Sequence, residues 1–306
     1  PVLEIGLQQK WYYFGQDGAL LEQTDKQVLE AKTSENTGKV YGEQYTPSAE
    51  KRTYYFDNNY AVKTGWTYED GNWYYLNKLG ISGDDSYNPL PIGEVAKGWT
   101  QDFHVTFGID RSKPAPWYYL DPTTGIMQTG WKQLGNKWYY LRSSGAMATG
   151  WYQEGSTWYY LGAQNGDMKT GWQNIKGKWY YLDPAEGYML TGVQQVGENG
   201  ECYYFHNKNG DMQTGWQQLT GAGNHEGPAW YYFNPADGSM LTGWQNIQEK
   251  WYYFQPIDGY MLTGLHQIGD AGKFYYFNPV NGEMLTGWQQ IAGEWYYFAT
   301  EDGSML

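Results

Sequence analysis

The feature that most constrains this chain is an internal repeat. Trp131, Trp151 and Trp172 each follow a Gly and lie 20 and 21 residues apart. After each comes a short polar loop, then Trp-Tyr-Tyr-Leu, a turn, and Gly-x-Met. The clearest copy runs from Gly150-Trp151 through Trp158-Tyr159-Tyr160-Leu161 to Gly166-Asp167-Met168. All nine Met of the chain occupy that last position, and all 17 Trp fall in one of the two aromatic slots. A fixed period of this kind is the mark of a repeat architecture, which has to be recognised before any other reading.

Each unit reads as two short strands and a turn. Trp-Tyr-Tyr-Phe/Leu is short, aromatic and bounded by Gly, Asn, Asp and Pro, the signature of strands joined by tight turns. The two Trp slots lie 7 residues apart in most copies, room for one β-hairpin. A lone hairpin is marginal in water. The units are therefore expected to stack, each burying its neighbour's rings, in an all-β solenoid of stacked β-hairpins.

Composition narrows the function. Aromatic residues make up 19% of 306 positions and charged residues 17%, with 41 Gly. Disordered chains are poor in aromatics, so that class is excluded. A net charge of −13 argues against nucleic acid as partner, because phosphate binding needs clustered Lys and Arg. A negative field instead favours the approach of a cation. The single cysteine, Cys202, allows no disulfide within the chain and no zinc knuckle. No apolar run is long enough to span a membrane. No cofactor or metal is called for.

Residues 1–116 carry a looser version of the pattern. Trp11-Tyr12-Tyr13-Phe14, Tyr54-Tyr55-Phe56 and Trp73-Tyr74-Tyr75-Leu76 match the second strand, and Gly65-Trp66 and Gly98-Trp99 match the first. Thr24 to Glu50 is polar, and Asp84 to Gly93 is rich in turn formers. A degenerate or modified array over 1–116, a partner-binding module, is expected to join a regular one over 117–306 near Lys113-Pro114-Ala115-Pro116.

Gly-Trp, six residues, Trp-Tyr-Tyr-Leu/Phe, then Gly-x-Met-x-Thr-Gly-Trp resembles the choline-binding repeat of pneumococcal surface proteins and autolysins. The resemblance covers 117–306 closely and 1–116 in diluted form. It implies a secreted protein held non-covalently on the bacterial cell wall by phosphorylcholine of teichoic and lipoteichoic acids. In that family two Trp of one repeat and a Tyr of the next cage the ligand, with a Met nearby. A quaternary ammonium donates no hydrogen bond, so aromatic faces suit it at roughly 0.5–2 kcal/mol per contact.

Carried over slot by slot, the resemblance implies five cages. Trp131 and Trp138 would meet Tyr160, and Trp151 and Trp158 would meet Tyr181. Trp172 and Trp179 would meet Tyr204, Trp216 and Trp230 would meet Tyr253, and Trp244 and Trp251 would meet Tyr276. The second Tyr of each pair is chosen because strand alternation puts it on the face of the leading Trp. Val193 with Cys202, and Leu265 with Phe274, replace both Trp and should leave blank interfaces. Trp288 and Trp295 should make half a site, and Trp66, Trp73 and Trp99 should pack rather than bind. The ten residues Thr220 to Ala229, inserted between Trp216 and Trp230, weaken the expectation for that cage.

No catalytic constellation is visible. His225-Glu226 lacks the second His of a zinc protease helix, and neither a nucleophile elbow nor a phosphate loop is present. His206 and His266 read as hairpin surface positions, and Cys202 as a small buried hydrophobe. Paired carboxylates of a glycosidase could still be distant in the chain. Three functions stay open. The first is a non-catalytic choline-anchored protein acting as adhesin or modulator of wall hydrolases, its N-terminal half turned to those hydrolases or to host proteins. The second is a glucan-binding repeat protein, and the third a wall hydrolase with an unrecognised N-terminal site.

Overall fold

The computed structural model describes residues 2–5, 10–13, 19–30, 51–77, 93–102, 115–197, 200–222, 225–269 and 272–306. Most of the polar stretch Thr24 to Glu50, the turn-rich stretch from Asp84, Phe14, His104 and Lys113-Pro114 lie outside them. Every regular element among the described residues is a β-strand. The chain divides into two compact units, residues 1–150 with 161–168, and residues 151–160 with 169–306.

The N-terminal strands merge into one sheet instead of standing as separate hairpins. They are β1 (Val2–Ile5), β2 (Lys10–Tyr13), β3 (Asp25–Glu30), β4 (Lys51–Phe56) and β5 (Ala61–Val62), in the order β1-β2-β5-β4-β3. The two-residue β5 joins them by pairing antiparallel with both β2 and β4. Tyr54, Phe56 and Val62 form a buried cluster there, with Leu21 and Leu29 packed on it.

Among the described residues from Gly65 onward the strands pair as ten hairpins, two of which carry a further two-residue strand. In a typical one, Gly171–Ile175 faces Lys178–Leu182 with Trp172 opposite Tyr181 and Asn174 opposite Trp179. Lys176 and Gly177 close it with φ of 53° and 82°, the paired left-handed geometry that matches strand twist in a two-residue turn. The boundary expected near 113–116 falls inside a hairpin, because Gly98–Gln101 pairs with Trp117–Leu120. A long connection separates these strands in sequence without separating them in space.

The last slot of the second strand makes the core. Leu120, Leu141 and Leu161 in one unit, and Leu182, Phe205, Phe233, Phe254, Phe277 and Phe298 in the other, are all 0% exposed. Successive hairpins are also stitched through backbone. The N–H of Met189 donates to the Trp158 carbonyl at 2.7 Å, and that of Met261 to the Trp230 carbonyl at 2.7 Å. Seven Met side chains, those of Met127, Met147, Met189, Met212, Met240, Met261 and Met284, lie against the Gly that opens the next Gly-x-Met. At Gly210, with φ of +72°, a Cβ would stand 2.2 Å from the Met189 sulfur. The regular Gly-x-Met thus marks a packing contact between neighbours.

Candidate functional site

Strand alternation gives each hairpin two faces. The leading Trp, the second-slot Trp and the second Tyr share the front. The first Tyr and the core Leu or Phe share the back. On the front, the leading Trp meets the second-slot Trp nearly at a right angle. Centroids are 6.3 Å apart for Trp151 and Trp158, 6.2 Å for Trp172 and Trp179, 6.4 Å for Trp216 and Trp230, and 6.3 Å for Trp244 and Trp251, with planes at 81–86°. Three of the second-slot rings stay open to solvent, Trp179 and Trp251 at 45% and Trp230 at 38%, while Trp158 is half-buried. Two perpendicular indoles with one outer wall exposed form a corner lined by π-faces.

The third ring is not the one expected. Trp151 meets Tyr180 at 4.9 Å, Trp172 meets Tyr203 at 4.8 Å, Trp216 meets Tyr252 at 5.0 Å, and Trp244 meets Tyr275 at 4.8 Å. These are the first Tyr of the following hairpin, not the second. Tyr160, Tyr181 and Tyr253 lie beside the leading Trp of their own hairpins, Trp151, Trp172 and Trp244, each at 5.1 Å. Tyr204 faces Phe233 at 5.9 Å, and Tyr276 faces Phe298 at 5.8 Å. The reason is geometric. Hairpins stack front to back, so residues on the same face of successive hairpins point in parallel rather than at each other.

The first unit repeats part of this arrangement. Trp131 meets Tyr140 at 5.2 Å, and Trp138 in its second slot is exposed. Trp99, expected only to pack, meets Tyr119 at 5.1 Å and Tyr139 at 5.0 Å, with Trp117 in the second slot of its hairpin. Trp151 makes the same two tyrosine contacts, one in its own hairpin and one in the next. The long gap between Gln101 and Trp117 hides this likeness in the sequence, although Trp117 already stood in register.

Trp66 is held differently. Its indole N–H donates to Asp102 Oδ2 at 3.0 Å, and the Tyr75 hydroxyl donates to Asp102 Oδ1 at 3.0 Å. Asp102 is 3% exposed, and the Tyr118 ring stands 4.6 Å from Trp66. A carboxylate bonded to the ring edge fixes this tryptophan. Trp73 is exposed beside Tyr68 at 5.2 Å, and Trp288 and Trp295 are exposed by 66% and 61%.

At the Val193 and Cys202 interface the insertion takes part. Ala222, Tyr231 and Tyr204 share one buried cluster on which Val193 packs. The Tyr231 hydroxyl donates to the Ala222 carbonyl at 3.0 Å. The inserted segment therefore covers an interface that lacks its tryptophans, while the Trp216 and Trp230 corner keeps its shape. Burial pushes the Cys202 thiol above its ordinary range, which suits an apolar filler more than a nucleophile. The His206 ring accepts from the backbone N–H groups of Lys208 and Asn209 in a turn. His266 bonds the Thr263 carbonyl at 2.9 Å. His225 stacks on Tyr260. Among the described residues no group of three His, Cys, Asp or Glu could hold a metal.

Comparison with known proteins decides the family. The choline-binding repeat model matches residues 128–170, 169–216 and 241–286, and the cell wall binding repeat model matches 8–20, 64–81 and 286–305. A crystal structure of choline-binding protein F from Streptococcus pneumoniae is 60% identical, covering 86% of this chain and 78% of that one, with a TM-score of 0.65. The chain belongs to the pneumococcal choline-binding protein family. Choline-binding protein F in complex with ipratropium matches at 64% identity over 86% of this chain and 79% of that one, TM-score 0.66. CbpJ from Streptococcus pneumoniae matches at 45% identity over 84% and 79%, TM-score 0.65. Comparison with curated protein sequences gives no match. As a member of this family the chain is a choline-binding protein associated non-covalently with the cell wall surface. No helix among the described residues is long and apolar enough to cross a membrane.

Proposed function

We propose that the front-to-back corners each hold the trimethylammonium group of choline carried by teichoic and lipoteichoic acids. The competent ones are Trp151/Trp158/Tyr180, Trp172/Trp179/Tyr203, Trp216/Trp230/Tyr252 and Trp244/Trp251/Tyr275 in one unit. Trp99/Trp117/Tyr139 in the other unit has the same composition, and Trp131 with Trp138 supplies two further indole walls. The observation that carries this reading is the repeated perpendicular pair of indoles, 6.2–6.4 Å between centroids, with a tyrosine against the inner one. A cation in such a corner gains π contacts without losing hydrogen bonds it cannot make. Three contacts give about 3–5 kcal/mol, a dissociation constant on the order of millimolar. Several such sites on one chain, facing a polymer of repeated ligands, bind far more tightly through effective concentration.

A secreted chain anchored in this way acts as an adhesin or as a modulator of wall hydrolases that compete for the same choline. Residues 1–116 would present the partner-binding surface. Support comes from the solved complex of choline-binding protein F with ipratropium, a quaternary ammonium compound. A structure of that protein in the presence of a peptidoglycan analogue, 57% identical over 94% of this chain, sets a relative against wall material.

The test is a choline titration followed by near-ultraviolet circular dichroism. The wild type should show a saturable change in its Trp signals, and Trp151→Ala with Trp158→Ala should lose one site. For the modulator role, added protein should slow lysis of walls by a choline-dependent autolysin, and free choline should remove the effect. Equal lysis with and without the protein would exclude that role.

A further inference from the structure

The residue two places before the first Tyr differs from cage to cage. Along each second strand the back face reads outward as core Leu or Phe, first Tyr, then this outer residue. It is Lys178 beside Tyr180, Lys250 beside Tyr252 and Lys273 beside Tyr275, but Glu201 beside Tyr203. The core residue is fully buried and the Tyr touches the leading Trp of the preceding hairpin. Strand alternation places the outer residue on the same face as that Tyr and one step further out, toward the mouth of the preceding corner.

Each lysine is held there by a carboxylate from the following repeat. Lys178 bonds Asp211 at 2.8 Å, Lys273 bonds Asp302 at 2.9 Å, and Lys250 bonds Glu283. Lys137 repeats the arrangement beside Tyr139, with Asp167 at 3.3 Å. The lysine side chains remain 50–58% exposed. An ammonium has three N–H donors, so one bond to a carboxylate leaves others for a ligand. Glu201 inverts the charge. It accepts from the Tyr203 hydroxyl at 2.8 Å, and burial together with Glu201 pushes that phenol up to about 12, with Asp237 acting in the same direction.

We infer that Lys137, Lys178, Lys250 and Lys273 form anion subsites that take the phosphate of phosphorylcholine, whereas Glu201 makes the Trp172/Trp179/Tyr203 corner selective for a quaternary ammonium with no attached anion. The inference rests on the cage reading above. In phosphorylcholine the phosphate sits two carbons from the nitrogen, so an ammonium group at the mouth of the corner meets it while the trimethylammonium fills the rings. At the lysine mouths the ammonium offsets its carboxylate partner and keeps N–H donors for phosphate, whereas Glu201 adds a second negative group to Asp237 beside Tyr203, which repels phosphate and attracts a bare cation.

The experiment titrates the full chain with choline and with phosphorylcholine at one fixed ionic strength, reading Trp fluorescence and the phosphorus resonance of the ligand. Replacing the four lysines by Met should lower the ratio of phosphorylcholine to choline affinity about two- to fivefold, the range of an exposed charge pair. Glu201→Lys should raise that ratio and add one site that broadens the phosphorus signal. An unchanged ratio in both variants would overturn the inference. If the lysine variant fails to fold, Glu201→Lys alone decides it. A wild type that shows no saturable response to choline would instead defeat the cage reading.

Discussion

At Gly166 a single carbon decides whether neighbouring repeats fit. Its φ is +70°, and a Cβ there would lie 2.5 Å from the Met147 sulfur. Gly171 has a similar φ of +66° but open space around it. Gly171→Ala should therefore cost about 1 kcal/mol from backbone strain alone. Gly166→Ala should cost about 1–3 kcal/mol more, because a packed neighbour must move. Urea unfolding of both variants measures the difference, and equal losses would mean that the Met contact contributes nothing. The same scale separates core from site. Leu182 is 0% exposed, so Leu182→Ala should cost about 2–5 kcal/mol. Trp179, exposed by 45%, should be replaceable by Ala at a fraction of that cost while one choline site is lost. Denaturant midpoints paired with choline titrations check both expectations.

Hairpins are joined by charge as well as by rings. Burial would raise the Asp211 carboxyl, but the hydrogen bond and charge of Lys178 outweigh it and hold the group below its ordinary value. A folded-state pKa lowered in this way stabilises the protein above the unfolded carboxylate range and loses that contribution as pH falls through the folded value. Lys178→Met should thus lower stability slightly near neutral pH, the two proteins converging in acid. Urea midpoints across pH would show this, and a constant gap down to the acid limit would contradict it. The insertion gives a second expectation for a single element. Tyr231 is 1% exposed under Ala222, so Val193→Trp with Cys202→Trp should create no new choline site. An added site in calorimetric stoichiometry would show that the insertion does not close this interface.

Across the whole molecule, what was legible in the sequence is what a fixed slot dictates. Gly, Trp and Met each recur at one place, so hairpins, registers and the paired indoles could be read directly. Which tyrosine completes a corner could not. Alternation assigns Tyr180 and Tyr181 to opposite faces, but says nothing about which face the next hairpin presents. The N-terminal sheet was hidden for a related reason, because its closure depends on the two-residue β5 pairing with strands distant in sequence. Trp99 packs against Tyr119 and Tyr139, and the long separation of Gln101 from Trp117 hid the hairpin it belongs to. The molecule is a series of weak cation sites that gain strength by number. The most direct test of this is isothermal calorimetry of the full chain with choline. Saturable binding at several sites is expected, with dissociation constants on the order of 1 mM. Absence of saturable heat up to roughly 20 mM choline, about twenty times that estimate, would contradict it.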